Sequence, residues 1–120
     1  MALTFYGYPP CDTCRKAKKW LEKEEIPFNE YHIVDHPLSK EELKKWKEQE
    51  GLEWKQFFNT SGKKYREMDL KSRLPKASEE EILEWLSSDG MLIKRPVVTD
   101  GESVTLGFKE PVFEEKWKAY

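Results

Sequence analysis

The sequence predicts an α/β fold: a mixed central sheet of about four strands, with a helical insertion between an N-terminal βαβ unit and a C-terminal ββα unit. Three observations carry this expectation. A short apolar run at residues 3–7 is followed by a stiff connector, a long amphipathic pattern and a second strand-like run. Residues 39–90 are rich in Lys and Glu and carry two helix-start signals, Ser39-x-x-Glu42 and Ser78-x-x-Glu81. Near the end, two β-branched runs flank Asp100-Gly101, a strong hairpin signal.

Leu3, Phe5 and Tyr6 make the first run a buried strand, which Gly7 ends. Tyr8-Pro9-Pro10 is a stiff connector, because each proline fixes its own φ and keeps its predecessor out of the α region. A helix can therefore start only at about Cys11 or Asp12. Cys14, Ala17 and Leu21, with Trp20, repeat at helical spacing, and Arg15, Lys16, Lys18, Lys19 and Lys23 fill the outer face. The helix should stop before Pro27. Residues 28–34 alternate loosely and read as a second strand, parallel to the first because a helix joins them. Asp35-His36-Pro37 is a turn.

In the middle block, Ser39 opens a helix over about residues 40–50 that buries Leu43 and Trp46 and closes at Gly51. Residues 52–58 form another apolar turn or two, and Asn59-Thr60-Ser61-Gly62 breaks it. Residues 63–70 read as a short helix with Tyr65, Met68 and Leu70 inward. Ser78 starts a helix carrying Ile82, Leu83, Trp85 and Leu86, closed by Asp89-Gly90. Val97-Val98-Thr99 and residues 104–108 are the hairpin strands. Pro111 suits the first turn of a last helix with Phe113 and Trp117. The block at about 39–90 carries too few apolar residues for a core of its own, so residues 1–120 are expected to form a single domain with an insertion.

Composition narrows the function classes. The chain of 120 residues is 38% hydrophobic, with five Trp, six Phe and five Tyr to supply bulk. Charged residues make up 37% in mixed sign, for a net charge of -2. Surfaces for nucleic acid or anionic membrane want a strong basic excess, so neither is an expected partner. No apolar run approaches the ~18 residues of a membrane span. Residues 1–10 lack the pattern of an export signal, so the expected compartment is the cytoplasm. In that reducing compartment two close cysteines are expected to be catalytic, redox-sensing or metal-binding rather than structural.

The two cysteines, Cys11 and Cys14, are spaced Cys-x-x-Cys after a strand and at the start of a helix. That arrangement reads as a thioredoxin-like redox site. Cys11 lies nearest the helix N-terminus, where unpaired N–H groups and the helix dipole favour thiolate, and Arg15 follows one turn on. Cys14 lies on the buried face with Ala17 and Leu21, which raises its pKa and suits a resolving thiol in a reversible disulfide. A zinc site would need two more ligands; the only histidines are His32 and His36, no second cysteine pair exists, and no metal is expected. Arg95-Pro96 is the second informative pair. In a thioredoxin-like layout a strand-initial proline faces the cysteine loop, by analogy in cis, and Arg95 would point its guanidinium at the mouth of the site to stabilise a thiolate or bind an oxyanion.

The residues Tyr8-x-x-Cys11-x-x-Cys14-Arg15-Lys16-Ala17, Trp20-Leu21, Pro27-Phe28, Asn59-Thr60-Ser61-Gly62-Lys63, Leu92-Ile93-Lys94-Arg95-Pro96 and Gly107-Phe108 together resemble the arsenate reductase (ArsC)/Spx family, from residue 3 to about 118. The resemblance implies a thioredoxin-like fold with a helical insertion. It implies Cys11 and Cys14 as the redox pair, Arg95 as their cationic partner, and Arg15, Pro96 and Ser61 as binding positions. In the arsenate reductases a cysteine matching Cys11 attacks arsenate with three arginines assisting, and glutathione with glutaredoxin completes the reduction. Here Arg95 matches one arginine, Ser61 stands at the second position and Gly107-Phe108-Lys109 at the third. Two missing forks weaken the binding of a multiply charged oxyanion, and Lys63, Lys64 or Lys109 could replace them only as point charges. The resemblance therefore implies a small, monomeric thiol–disulfide reductase, with no bound cofactor, acting on a small thiol or oxyanion or a redox partner protein and served by glutathione or a thioredoxin/glutaredoxin-type reductant. The alternative it implies is an Spx-like redox-sensing regulator that binds the C-terminal domain of the RNA polymerase α subunit. The sequence stops at Tyr120 without the basic extension associated with Spx, which favours the reductase side.

Overall fold

A computed structural model describes residues 2–118, in two compact units. One is built from the described parts of Met1–His32 and Arg95–Tyr120, the other from Ile33–Lys94. The α/β fold class is as expected: one sheet of four strands, with helices.

The first unit is organised on β1 (Leu3–Gly7), whose buried positions Leu3, Phe5 and Gly7 alternate with half-buried Thr4 and Tyr6. Strand β2 (Phe28–His32) lies parallel to it, in the register Leu3↔Phe28 to Gly7↔His32. Strands β3 (Val97–Thr99) and β4 (Val104–Leu106) complete the order β2-β1-β3-β4, both pairings antiparallel. Strand β2 stops at His32, two residues short of the expectation. The hairpin between β3 and β4 is held by side chains. Asp100 Oδ1 accepts from the N–H groups of Glu102 and Ser103 at 2.9 and 2.8 Å, and Gly101 takes φ +101°. That is the Asx geometry for which aspartate is favoured in turns.

Helix α1 (Asp12–Lys23) connects β1 to β2. Its end is a Schellman closure: Ile26 N–H donates to Leu21 O at 2.9 Å and Glu25 N–H to Glu22 O at 3.1 Å. Glu25 occupies the left-handed position, φ +57°, that glycine usually takes. The closure returns Ile26 to the core, where it is buried with Leu3, Phe5, Ala17, Trp20, Leu21, Val98, Phe113 and Trp117. Helix α6 (Glu110–Trp117), with a proline in its first turn as expected, supplies the last two. Phe113 meets Trp20 and Phe108 edge-on, at centroid separations of 5.4 and 4.8 Å. Trp117 is fully buried, and its indole N–H donates to Thr105 Oγ1 at 3.0 Å. Burial of each large ring contributes ~1.5–3 kcal/mol, so these few aromatics replace many aliphatic residues.

The second unit is helical. Helix α2 (Lys40–Glu50) is capped by Ser39, whose hydroxyl accepts from Glu42 N–H at 3.1 Å, and Gly51 ends it at φ +64°. It packs against α5 (Glu79–Ser88), which opens on a complete Ser78–Glu81 capping box. Between them lie a 3₁₀ turn (Trp54–Phe57), α3 (Lys63–Glu67) and α4 (Leu70–Arg73). The single helix expected at 63–70 is divided because Asp69 adopts φ +52°, which breaks the helical path and leaves Met68 only half-buried. The buried side chains of this unit include Ile33, Leu43, Trp46, Phe57, Phe58, Tyr65, Leu86 and Ile93. Phe58 bridges Ile93, and Lys94 N–H donates to Phe57 O at 2.8 Å. Gly90 sits so close to the chain at Ile33 that a Cβ would lie 2.5 Å from the Ile33 carbonyl oxygen. Among the described residues no helix is long and apolar enough to cross a membrane.

Candidate redox site

The site begins with the N-terminus of α1. Pro9 and Pro10 form a tight turn, and Cys11 follows it as the N-cap with φ −81° and ψ 118°. An N-cap side chain normally accepts from the backbone two or three residues on, and the Cys11 sulfur does so. Cys14 N–H donates to Cys11 Sγ at 3.3 Å. The Tyr8 carbonyl accepts from Cys11 N–H at 3.0 Å, which fixes the loop behind it.

Helical geometry makes the two thiols unequal. Cys11 is half-buried and Cys14 is 4% exposed, on the face shared with Ala17 and Leu21. Burial pushes the Cys11 thiol up, but the hydrogen bonds from Cys14, thiol and backbone, and the hydrogen bond and charge of Arg95 outweigh it. The result lies below the ordinary thiol value. Cys14 goes the other way: burial first, then the hydrogen bond to Cys11 and the Cys11 charge, push it up to about 12, against the pull of the Tyr8 backbone and of Arg95. Of the two, Cys11 is therefore the thiol that ionises more readily. Both cysteines are free here.

Arg95 lies two residues before β3, joined to Pro96 by a cis peptide bond. Pro96 is buried, and its carbonyl accepts from Gly107 N–H at 3.0 Å, with Gly107 at φ +79°. The Arg95 guanidinium reaches the Cys11 sulfur and lies over the Tyr8 ring, 5.1 Å from its centroid. The first unit thus brings Cys11, Cys14, Arg95 and Pro96 together. Arg15 is placed differently: it is exposed, it bonds the Asp12 carboxylate and donates to Pro9 O at 3.4 Å, and with Tyr8, Cys14 and Lys18 it lines a cleft of about 350 Å³. The cation that lowers the Cys11 pKa is Arg95.

Ser61 belongs to the helical unit, exposed, with its hydroxyl donating to Asn59 Oδ1 at 3.3 Å. An arginine does stand beside it, since Arg66 Nη1 donates to Ser61 O at 3.3 Å. Lys109 is exposed and is the N-cap of α6. Among the described residues no cluster of three His, Cys, Asp or Glu side chains could hold a metal ion. Reading the sequence placed Tyr8 in the connector but assigned it no part in the site. Its aromatic character next to Cys-x-x-Cys was the available signal, and its use depends on Arg95, which is distant in sequence.

The ArsC family model matches residues 6–116. The chain is 64% identical to "Uncharacterized protein YusI" of Bacillus subtilis (strain 168), over 98% of this chain and 99% of that protein. It is 34% identical to "Global transcriptional regulator Spx" of Enterococcus faecalis, over 90% of this chain and 80% of that protein. Among solved structures, an ArsC family related protein from Bacteroides fragilis superposes with a TM-score of 0.90 at 45% identity, covering 96% of this chain and 97% of that one.

Proposed function

This chain belongs to the ArsC family, and we propose that it is a thiol–disulfide reductase in which Cys11 is the nucleophile and Cys14 the resolving thiol. The observation that carries the reading is the split between the two cysteines: Cys11 below the ordinary thiol value next to Arg95, Cys14 raised to about 12 one helical turn away. A thiolate attacks and a thiol does not, so the first step falls to Cys11.

The Cys11 thiolate attacks one sulfur of a substrate disulfide, forms a mixed disulfide and expels the other sulfur as thiolate. Cys14 gives up its proton to that departing thiolate and attacks the Cys11 sulfur, which releases the second substrate thiolate. The products are one substrate thiol, one substrate thiolate that takes its proton from water, and a Cys11–Cys14 disulfide, two electrons having moved from protein to substrate. A dithiol of the thioredoxin or glutaredoxin class, or two equivalents of glutathione, returns the pair to its reduced form. Neutralising the Cys11 charge as its sulfur is attacked removes one cause of the raised Cys14 pKa, so resolution becomes easier once the mixed disulfide has formed.

Small disulfides and glutathione mixed disulfides suit this site better than arsenate. Of the three arginines the family uses on the oxyanion, this sequence has only Arg95 in place. The test is a turnover panel of glutathione mixed disulfides, small disulfides and arsenate, each with glutathione and a dithiol reductant. Turnover of disulfides that is lost in Cys11→Ser, with a trapped mixed disulfide on Cys11 in Cys14→Ser, is the expected result. Arsenate turnover above disulfide turnover sinks the substrate assignment, and a mixed disulfide trapped only on Cys14 sinks the roles.

A second reading has its own support in the likeness to the Enterococcus faecalis regulator, over 90% of this chain. On that reading the same Cys11–Cys14 pair is a switch, and its oxidation state controls binding to the C-terminal domain of the RNA polymerase α subunit. Redox-dependent capture of that domain, with no turnover in the panel, would decide for the regulator.

A further inference from the structure

We infer that Tyr8 is a positioning residue for the redox site, its ring holding the Arg95 guanidinium beside the Cys11 sulfur. Tyr8 touches each of the three groups that matter. The Arg95 guanidinium carbon lies 5.1 Å from the Tyr8 ring centroid. The Tyr8 carbonyl accepts from Cys11 N–H at 3.0 Å, and the Tyr8 backbone N–H bonds the Cys14 sulfur. The two backbone bonds need no particular side chain. The contact with Arg95 does, because only an aromatic face offers a cation both apolar surface and negative quadrupole.

The ring is itself held. Its edge-on partner is His32, with centroids 5.4 Å apart at 90°. On one side its backbone is fixed by Gly7, where the chain lies so close to Phe5 that a Cβ would come within 2.6 Å of the Phe5 ring. On the other it runs into Pro9-Pro10. A rigid ring therefore limits a long side chain that has many rotamers of its own. Arg95 lies two residues before β3 and Cys11 caps a helix, so a fixed ring whose own backbone bonds Cys11 keeps their distance constant. A guanidinium held in place costs less ordering entropy when the thiolate forms than one that must be recruited from solvent.

This inference rests on the proposed role of Cys11 as the reactive thiolate, and the test separates the two. The Cys11 pKa is read from the pH dependence of alkylation in Cys14→Ser, with folding checked by circular dichroism. Tyr8→Leu should raise it by about 0.5–1 pH unit, a roughly three- to tenfold loss of thiolate at neutral pH. Tyr8→Phe keeps the ring face and should leave it unchanged. In an Arg95→Ala background Tyr8→Leu should add nothing, because the ring acts through the guanidinium. Tyr8→Gln repeats the measurement if Tyr8→Leu is unstable. A depressed Cys11 pKa that survives both Tyr8→Leu and Tyr8→Gln overturns the inference and leaves the proposed function standing. An equal rise in Tyr8→Phe, or additive effects of Tyr8→Leu and Arg95→Ala, also overturns it. A Cys11 that titrates as an ordinary thiol in the parent protein removes the proposed function and the inference together.

Discussion

Replacing Cys14 with alanine should flatten the alkaline limb of the protein's stability profile. The folded thiol ionises at about 12, against an ordinary value of 9.0, chiefly because it is buried and because the Cys11 sulfur shares its hydrogen bond. At pH 7 the thiol is protonated in folded and unfolded chains alike, so it contributes no pH dependence. Above 9.0 the unfolded chain releases this proton and the folded chain keeps it. The folded state then binds more protons, and unfolding free energy must fall as pH rises. The slope approaches ~1.4 kcal/mol per pH unit, and the full interval corresponds to ~4 kcal/mol. Cys14→Ala removes that slope and adds a roughly pH-independent loss of ~1–2 kcal/mol from the small cavity left behind. The two profiles should therefore converge and cross as pH rises past about 10. Urea unfolding of both proteins under reducing conditions, at several pH values from about 7 to 10.5, measures this difference. Lysine titration is common to both chains and cancels. Parallel profiles above pH 9 would show that Cys14 is not shielded, and the assignment of a buried resolving thiol would fail with them.

Three further outcomes follow from particular contacts. Arg95→Ala should raise the Cys11 pKa and slow its alkylation at neutral pH by roughly tenfold, since it removes both a hydrogen bond and a positive charge; an unchanged alkylation profile refutes the pairing. Glu25→Gly should stabilise the protein by ~1 kcal/mol in urea unfolding, because Glu25 holds the left-handed position of the α1 closure; a lower midpoint would contradict that geometry. Gly90→Ala should cost ~1–3 kcal/mol, as its Cβ would meet the Ile33 backbone at 2.5 Å and neither segment is a flexible side chain; a neutral effect would mean that the two segments separate easily.

Much of the fold was legible because its signals are local. The Ser78 capping box, the Ser39 cap, Gly51 at a helix end and the Asp100-Gly101 loop are each set by contacts between residues three or four apart, and each appears where expected. The expectations that missed were of another kind. Asp69 in a left-handed conformation divides a stretch whose apolar spacing reads as one helix, and no local pattern requires that break. The α1 closure on Glu25 was invisible for a similar reason, since glutamate does not mark left-handed backbone. At the site, Cys-x-x-Cys after a strand was readable as a redox pair, and Arg95-Pro96 was paired with it by analogy. Arg15 lies one helical turn from Cys11 in sequence, yet its guanidinium turns to Asp12 and Pro9.

The amino-acid sequence by itself determined the elements and the chemistry available: a strand, a proline-stiffened connector, a cysteine at a helix start, and a second cysteine one turn in. Part of the inequality between the thiols follows from that spacing, because a side chain one turn into the helix lies deeper than one at its open end. Only the tertiary structure decided that an aromatic ring meets the cation expected beside Cys11. Those partners come from the segment just before β3 and from the connector before α1, and their approach depends on β1 lying between β2 and β3. Residues near in sequence leave a trace in composition and period. Residues that meet only when a sheet assembles do not.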